Sequence, residues 1–247
     1  MRVDLSADVG EGADDLPLFP LLTSVSVACG AHAGDVETMD RCVAEARRLR
    51  VSAGAHPGYP DRAGFGREAM TMTEADLTRT LIDQIRALDA VCRRREVRLA
   101  HVKPHGALYN QAAVDSSLAM TVAKAVRACG DRLALIGSAD SAMLEAAATA
   151  GIPAAAEAFA DRRYLADGTL APRSHGGSMI EDPVAAATQA VAIAGGKPIA
   201  TLDGPSIHVR AETICLHSDT PGALEIARAV RVALERAGVE VAPLALR

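Results

Sequence analysis

The sequence predicts an α/β fold, most simply a TIM-barrel-like (β/α) barrel formed by residues 1–247 as a single domain. Strand-like and helix-like segments alternate along the chain, and seven such β–α units imply a mostly parallel sheet. The 247 residues are 49% hydrophobic, enough for one large core, and (β/α) barrels commonly have about 250 residues. No Pro/Ser-rich linker and no internal repeat divides the chain. A doubly wound open sheet is the structural alternative.

Helix start signals lie between the predicted strands. The strands are residues 3–8, 24–30, 51–56, 98–103, 133–138, 154–159 and 213–217. Asp35 and Thr73 are placed to cap the helices that follow them. Asp182-Pro183 and Thr220-Pro221 each put a capping side chain before a proline at the first helical position, so they predict two later helix starts.

Polar side chains recur at every second position of several strands, and residues i and i+2 of a strand share a face. The sets are Asp4, Ser6 and Asp8; Ser24, Ser26, Ala28 and Gly30; Ser52, Gly54 and His56; His101, Lys103 and His105; and Thr213, Cys215 and His217. The opposite face is apolar and suits packing under helices. Because ligands of barrels and open α/β sheets bind at the C-terminal strand ends, the pattern predicts a polar cavity there.

The first two strand ends carry acids and a histidine. Asp8 and the glycine-flanked Glu11 can supply carboxylates for acid–base catalysis or a metal, although Asp and Gly also favour turns. His32 stands between glycines before a helix N-terminus, a position that suits anions. A lone histidine is more often structural, but this setting favours function.

The third and fourth strand ends carry the largest group of candidate functional side chains. His56 begins a long Gly/Pro-rich loop that contains Arg67, and such loops are often binding loops or lids. Arg67 can meet a carboxylate bidentately, or it is simply solvated on an Ω-loop. Lys103 is expensive to bury without a role, and His105 can act as an acid or base near neutral pH. Asn110 closes the same motif.

The last two strand ends are more ambiguous. His217 is expected on the cavity side, whereas Asp219 and Thr220 are expected to cap the final helix. Asp161 and Arg163 are interpreted more simply as a structural ion pair. Cys215 near His217 is a weaker nucleophile candidate because it lacks a recognisable third, orienting group.

Composition and motifs exclude several classes of protein. The net charge is −5 without a basic patch, so no nucleic-acid partner is expected. No apolar run can span a bilayer and no signal peptide is expected, so the predicted location is the cytoplasm. Five cysteines without a CxxC motif predict reduced thiols. The sequence has no P-loop, nucleophile elbow or H-E-x-x-H motif.

Taken together, the motifs resemble the LamB/YcsF family of lactam-utilisation proteins. The matching segments are Asp4-Leu5-x-Ala7-Asp8-x-Gly10-Glu11, Ala28-Cys29-Gly30-x-His32-Ala33-Gly34-Asp35, Gly54-Ala55-His56-Pro57-Gly58-Tyr59-Pro60, Gly64-Phe65-Gly66-Arg67, His101-Val102-Lys103-Pro104-His105-Gly106-Ala107-Leu108-Tyr109-Asn110, Glu157-x-Phe159-Ala160-Asp161-Arg162 and Thr213-Ile214-Cys215-x-His217-x-Asp219-Thr220-Pro221. Ser6, Ala31 and Ser218 depart from the usual Asn, Phe and Gly. The ionisable residues are intact, so the departures bear on substrate fit more than on the reaction.

The resemblance implies a seven-stranded barrel related to the glycoside hydrolase/deacetylase group. It also implies the A subunit of an ATP-dependent 5-oxoprolinase, which opens 5-oxo-L-proline to L-glutamate with subunits B and C. ATP, with Mg²⁺, would then be a co-substrate, and its site would be unconventional or supplied by a partner.

The predicted roles follow from that resemblance and from the strand ends. Asp8 or Glu11 activates water, while His32, His56 and His105 move protons or, with Asp8, hold a metal. Lys103 and Arg67 bind a substrate carboxylate or phosphate, and His32, Asn110 and His217 contact the substrate. Two rival hypotheses remain: a metal-dependent amidohydrolase or deacetylase, and a non-catalytic regulatory subunit of a lactam-hydrolysing complex.

Overall fold

The computed structural model describes residues 1–12 and 14–245, and within them strands and helices alternate. The strands are β1 (Arg2–Val9), β2 (Ser24–Ala28), β3 (Ser52–His56), β4 (Leu99–Val102), β5 (Ala134–Ser138), β6 (Ala154–Phe159), β7 (Thr213–His217) and β8 (Glu240–Val241). The helices are α1 (Val36–Leu49), α2 (Glu74–Arg94), α3 (Gly106–Val114), α4 (Ser116–Cys129), α5 (Ala142–Ala150), α6 (Pro183–Ala194) and α7 (Ala223–Arg236). A 3₁₀ helix spans Leu16–Leu21.

Strands β1 to β7 close into a parallel barrel. Each strand from β2 to β6 pairs with the next in chain order, and β1 closes the ring by pairing with both β2 and β7. The barrel prediction is therefore confirmed, and the open-sheet alternative is wrong. The seven predicted strands are each found within two residues of their predicted bounds. The sequence did not predict β8, which pairs with Arg2 and Val3 of β1 on the side away from β7.

Capping side chains set three of the predicted helix starts. Asp35 accepts a hydrogen bond from the Thr38 amide, and Thr73 and Asp182 do the same for α2 and α6. The predicted start of the last helix at Pro221 is wrong, because α7 begins at Ala223. Thr220 does not cap it, since its hydroxyl donates instead to Oδ2 of Asp161 at 2.7 Å.

The apolar core lies between the barrel and its helices. The outward-facing β1 residue Leu5 and the α2 stripe of Leu77, Leu81 and Ile85 are at most 2% exposed. Burying each such side chain contributes roughly 1.5–3 kcal/mol, which holds the helices on the barrel. Along the described residues, no helix combines the length and apolar character needed to cross a membrane.

The N-terminal half of the barrel interior is polar but closed by its own hydrogen bonds. Asp4 accepts hydrogen bonds from the hydroxyls of Thr23, Ser24 and Thr213 at 2.6–2.7 Å. His101 fills the space beside Gly54, where an added Cβ would lie 2.1 Å from the imidazole ring. The polar strand faces therefore form a hydrogen-bonded core below, and only their C-terminal ends are free to line a cavity.

Candidate active site

A cavity of about 840 Å³ opens at the carboxyl ends of the strands. Eight of the nine predicted site residues line it: Asp8, Glu11, His56, Arg67, Lys103, His105, Asn110 and His217. The ninth, His32, is buried and contacts Glu11 with Nε2 at 3.0 Å from Oε1. The volume is in the range of sites that enclose a small-molecule ligand.

Lys103 is the positive centre of the cavity floor. Its ammonium lies 3.0 and 2.9 Å from the two Asp8 oxygens, 2.9 Å from Glu157 Oε1 and 3.1 Å from Cys215 Sγ. Burial opposes its charge, but the neighbouring Asp8, Cys215 and Glu157 together outweigh burial and hold the pKa of Lys103 well above its usual range. Because an ammonium has three donors, these contacts occupy Lys103 and leave little capacity for a substrate anion.

The two acids beside Lys103 differ in their ionisation. Burial raises the pKa of Asp8, but His56, Lys103 and His217 outweigh it and bring that pKa below its ordinary value. Burial wins for Glu157 and raises its pKa. Although Glu157 lies in contact with Lys103, neither of its oxygens accepts a well-aligned hydrogen bond from the described residues. We therefore assign the buried ion pair to Lys103 and Asp8, and not to Lys103 and Glu157.

Glu157 belongs to the site but was not among the predicted site residues. It lies on β6, fully buried, next to Lys103 and opposite Thr213 of β7 in the sheet register. Alternation along β6 could have revealed it, because Ala155, Glu157 and Phe159 share one face. Cys215, the weaker nucleophile candidate, is also buried here, and burial raises the pKa of its thiol well above the usual range. A thiol in that state is a poor nucleophile.

Three histidines surround the carboxylate of Glu11. Oε1 of Glu11 lies 3.0 Å from both His32 Nε2 and His105 Nδ1, and 3.5 Å from His56 Nε2. Burial raises the pKa of Glu11, but hydrogen bonds from His105 and His32 outweigh it and hold that pKa well below normal. The rings of His32 and His105 stack 3.7 Å apart. Glu11 is therefore an ionised acceptor at the centre of the cluster.

Backbone carbonyls fix the orientation of two of these rings. Nδ1 of His56 donates to the Lys103 carbonyl and Nε2 of His105 donates to the Phe65 carbonyl, each at 2.8 Å. The other two ring nitrogens, His56 Nε2 and His105 Nδ1, face each other at 3.0 Å. Two lone pairs at that separation repel, so either a proton on His105 Nδ1 or a bound cation must lie between them. Burial lowers the pKa of His56 to about 3, which makes His56 the neutral acceptor.

The donor set fits a divalent transition metal such as Zn²⁺. One ligand atom from each of Glu11, His32, His56 and His105 lies within 4.8 Å of all the others. Metal–ligand bonds near 2.0–2.1 Å in a tetrahedron separate the ligand atoms by about 3.3 Å, comparable to the contacts around Glu11. Anchoring the second ring nitrogen to a carbonyl is the usual arrangement for metal-binding histidines. Asp8, also predicted as a ligand, lies beside this cluster, with Oδ2 3.6 Å from His56 Nε2.

A close approach of the loop after β3 holds the cluster in place. Gly66 has a φ of +62°, and an added Cβ would lie 2.9 Å from His32 Cβ and 3.0 Å from His105 Cδ2. Only glycine fits both the conformation and the space. This explains Gly66, which follows Phe65, whose carbonyl accepts the hydrogen bond from His105.

On the opposite wall, Asp161 orients His217. Nδ1 of His217 lies 3.0 and 3.1 Å from the two Asp161 oxygens, and the His217 amide donates to the same carboxylate. Burial raises the pKa of Asp161, but His217 and Thr220 outweigh it and lower the pKa to about 2. The predicted structural ion pair of Asp161 with Arg163 is therefore wrong. The carboxylate fixes the proton on Nδ1 and leaves His217 Nε2 as the basic atom.

Arginines form the upper wall. Arg67 contacts Asp219, and Arg173 NH1 lies 3.6 Å from the same carboxylate. Asp219 thus pairs with arginines and does not cap α7 as expected. The sequence analysis named Arg163, but the buried arginine of this pair is its neighbour Arg162.

The fold and the site define a (β/α)-barrel protein with a buried carboxylate and histidine centre at the carboxyl ends of its strands. Within that class, the chain belongs to the LamB/YcsF family, whose model matches residues 3–247. The resemblance predicted from the motifs is thereby confirmed.

Three relatives illustrate this assignment. A protein from Heliobacterium modesticaldum, named as the A subunit of 5-oxoprolinase, is 47% identical and aligns over 98% of this chain and 97% of its own length. The crystal structure of a lactam utilization protein from Thermus thermophilus is 42% identical and covers 99% of this chain and 100% of its own, with a TM-score of 0.92. A structure titled T48 deacetylase with substrate is 12% identical, with a TM-score of 0.51 over 97% and 86% of the two chains, and shows the fold alone.

Proposed function

We propose that this chain is the A subunit of an ATP-dependent 5-oxoprolinase, a hydrolase that opens 5-oxo-L-proline to L-glutamate. The observation that carries the proposal is the cavity that joins the Lys103–Asp8 pair to the Asp161–His217 pair, in a chain 47% identical to a protein named as the A subunit of 5-oxoprolinase. On this proposal the chain works in the cytoplasm with subunits B and C.

The chemistry of a lactam explains why ATP would be needed. A five-membered lactam is a resonance-stabilised amide, and water attacks its carbonyl carbon poorly. Transfer of the γ-phosphoryl group of ATP to the lactam oxygen, with ADP leaving, makes that carbon a better electrophile. One water then adds to the carbon, the C–N bond breaks and the nitrogen takes a proton, which leaves an acyl phosphate. A second water releases phosphate and glutamate. ATP with Mg²⁺ is thus a co-substrate, and the lack of a P-loop in the sequence agrees with a nucleotide site shared with a partner.

His217 is the best-placed group to move protons in this scheme. Its Nδ1 is held by Asp161, so Nε2 can accept a proton from water and return it to the ring nitrogen as the C–N bond breaks. We therefore assign general acid–base catalysis to His217 rather than substrate contact alone. Asp161 is its positioning residue.

The other predicted residues take supporting roles. Lys103 keeps Asp8 ionised and supplies positive charge beneath the reacting carbonyl. His56 and His105 form a second proton-handling pair next to Glu11, and His32 fixes Glu11 from behind. Asn110, on the cavity wall, is assigned to substrate contact.

Replacing His217 tests the proposal in the reconstituted three-subunit enzyme. His217→Ala should lower kcat for glutamate release by about 10²–10⁴-fold. His175→Ala is the matched control, because His175 is exposed and its Nδ1 contacts only the neighbouring Gly176 carbonyl. Wild-type turnover of His217→Ala, with the complex still assembled, would support a regulatory role for this chain and overturn the catalytic assignment.

A metal-dependent hydrolase is the second candidate, and one observation favours it. The lone pairs of His56 and His105 face each other beside Glu11, which suits a cation as well as a proton. Glu11, His32, His56 and His105 would hold the ion, and Zn²⁺ would supply a Lewis acid that polarises the lactam carbonyl. Elemental analysis of the purified chain and of His56→Ala, together with lactam hydrolysis measured without ATP, separates the two. Stoichiometric Zn²⁺ that His56→Ala loses, and turnover without ATP, would favour this candidate.

A further inference from the structure

Three guanidinium groups converge on one wall of the cavity. Arg67 lies on the loop after β3, and Arg162 and Arg173 lie on the long segment between β6 and α6. All three line the same cavity as His217. The fold therefore brings together cations that are far apart in the sequence.

Arg162 is the unusual member of this group. It is 5% exposed, and its NH2 donates to the Ala171 carbonyl at 2.6 Å. Its Nε is buried without a hydrogen-bond partner among the described residues. A buried guanidinium donor without an acceptor is costly, and an acceptor supplied by a ligand would remove that cost.

The nearby carboxylates do not satisfy these arginines. The two oxygens of Asp161 already accept hydrogen bonds from His217 and Thr220. Asp219 is shared between Arg67 and Arg173. Burial and the neighbouring Arg173 lower the pKa of Arg162 to about 10, as expected for a cation beside other cations.

Two more acids lie on the cavity rim. Asp167 accepts hydrogen bonds from the amide and hydroxyl of Thr169, and Asp140 is exposed. Within the described part of the chain, neither forms an ion pair with one of the three arginines. The wall therefore carries one guanidinium more than its two adjacent carboxylates can balance.

We propose that Arg67, Arg162 and Arg173 form a subsite for a phosphoryl group in the cavity. The inference rests on the proposed function and deepens it, because that reaction carries a phosphoryl group through ATP, a phosphorylated lactam and free phosphate. A phosphate dianion offers several oxygens and two charges, which suits three planar guanidiniums better than one carboxylate does. A nucleotide and a phosphorylated lactam would each present such a phosphoryl group to the three arginines.

Binding of inorganic phosphate to the full chain, followed by calorimetry at constant ionic strength, tests the subsite without requiring turnover. The wild-type chain should bind phosphate saturably, and Arg173→Gln should weaken binding about tenfold or more, as expected for a lost charge-assisted contact. Arg48→Gln is the matched control, since Arg48 lies on α1 and pairs with Glu45. Arg162→Lys keeps the charge in the buried position but loses the planar fork, and it should also weaken binding. Thermal melts check that each variant is folded.

Further titrations separate the possible anions. Displacement of phosphate by ATP, but not by AMP, would identify the nucleotide as a source. If neither phosphate nor ATP binds, or if Arg173→Gln and Arg162→Lys bind phosphate like the wild type, the subsite is wrong. Arginine-dependent binding of 5-oxoproline and acetate without phosphate binding would make it a carboxylate site and also overturn the inference. Failure of the proposed function is seen separately, as absence of lactam-dependent ATP hydrolysis in the three-subunit enzyme.

Discussion

Nδ1 of His217 lies 3.0 Å from Oδ1 of Asp161, so one buried carboxylate sets which nitrogen of the cavity histidine carries the proton. The same carboxylate also accepts hydrogen bonds from the His217 amide and the Thr220 hydroxyl. The imidazole is therefore held by both its ring and its backbone. Phe159 stacks against the ring, with centroids 5.3 Å apart.

Replacing Asp161 with asparagine should damage catalysis more than binding. The amide can no longer fix the proton on Nδ1 of His217, so we expect kcat to fall by about 10²-fold or more with little change in KM. Steady-state glutamate release measures both constants. Asp167→Asn is the control on the same segment, because Asp167 is exposed and bonded to Thr169. Equal activity in the two variants would contradict the orienting role of Asp161.

Replacing Lys103 with methionine should destabilise the barrel. Asp8 would lose its buried partner, and breaking a buried pair from one side costs about 3–5 kcal/mol. Urea denaturation gives the change in the free energy of unfolding. Lys124→Met, which removes an exposed pair with Glu74, should leave that free energy almost unchanged.

A second variant separates charge from packing at Lys103. The double variant Asp8→Asn/Lys103→Met removes both charges, so it should recover part of the stability lost in Lys103→Met. If the double variant is less stable than the single one, the cost arises from packing rather than from an unpaired carboxylate.

Replacing Gly54 with alanine should disturb the N-terminal half of the interior. The added Cβ would lie 2.1 Å from His101, whose ring is buried and bonded to Ser26. We expect a loss of about 1–3 kcal/mol in the free energy of unfolding, as for other overpacked cores. Gly176→Ala, which meets nothing within 4 Å, is the comparison. Similar melting temperatures for the two variants would argue against the tight contact.

Acidification should destabilise the fold through His101. Burial lowers the pKa of His101 to about 4 from an ordinary value near 6.5. Between these two pH values the unfolded chain binds a proton that the folded chain excludes, so the free energy of unfolding falls as the pH falls. At pH 4.5 this amounts to about 2–3 kcal/mol relative to pH 7. Urea denaturation of wild type and His101→Gln at both pH values checks this, and parallel losses in the two proteins would contradict it.

The barrel and the location of its site could be predicted because strand side chains alternate. The i, i+2 rule put Asp8, His56, Lys103 and His217 on one face, and all four line the cavity. Parallel pairing then aligns their strand ends; Asp8, for example, lies opposite His217 in the register. Local periodicity and sheet geometry act over a few residues, which is why sequence alone captured them.

The partners of these residues depend on contacts that sequence spacing does not determine. The sequence around Thr220 is typical of a helix cap, but its hydroxyl donates a hydrogen bond to the buried carboxylate of Asp161, 59 residues away. Of the adjacent Arg162 and Arg163, the fold buries the first, in a segment whose bridge joins Arg162 to Met179. Glu157 was within reach of the alternation rule, since it stands on the inner face of β6. The choice between a proton and a metal beside Glu11 lay beyond the sequence, because it depends on ring orientations set by backbone carbonyls.

The most direct test of the proposed function is the stoichiometry of the reconstituted reaction. Glutamate and ADP should be followed together from 5-oxoproline and ATP, with this chain present, omitted or replaced by His217→Ala. We expect one ADP for each glutamate, only when the wild-type chain and its partner subunits are all present. Glutamate formed without this chain, or without ATP, would contradict its role as the A subunit of an ATP-dependent 5-oxoprolinase.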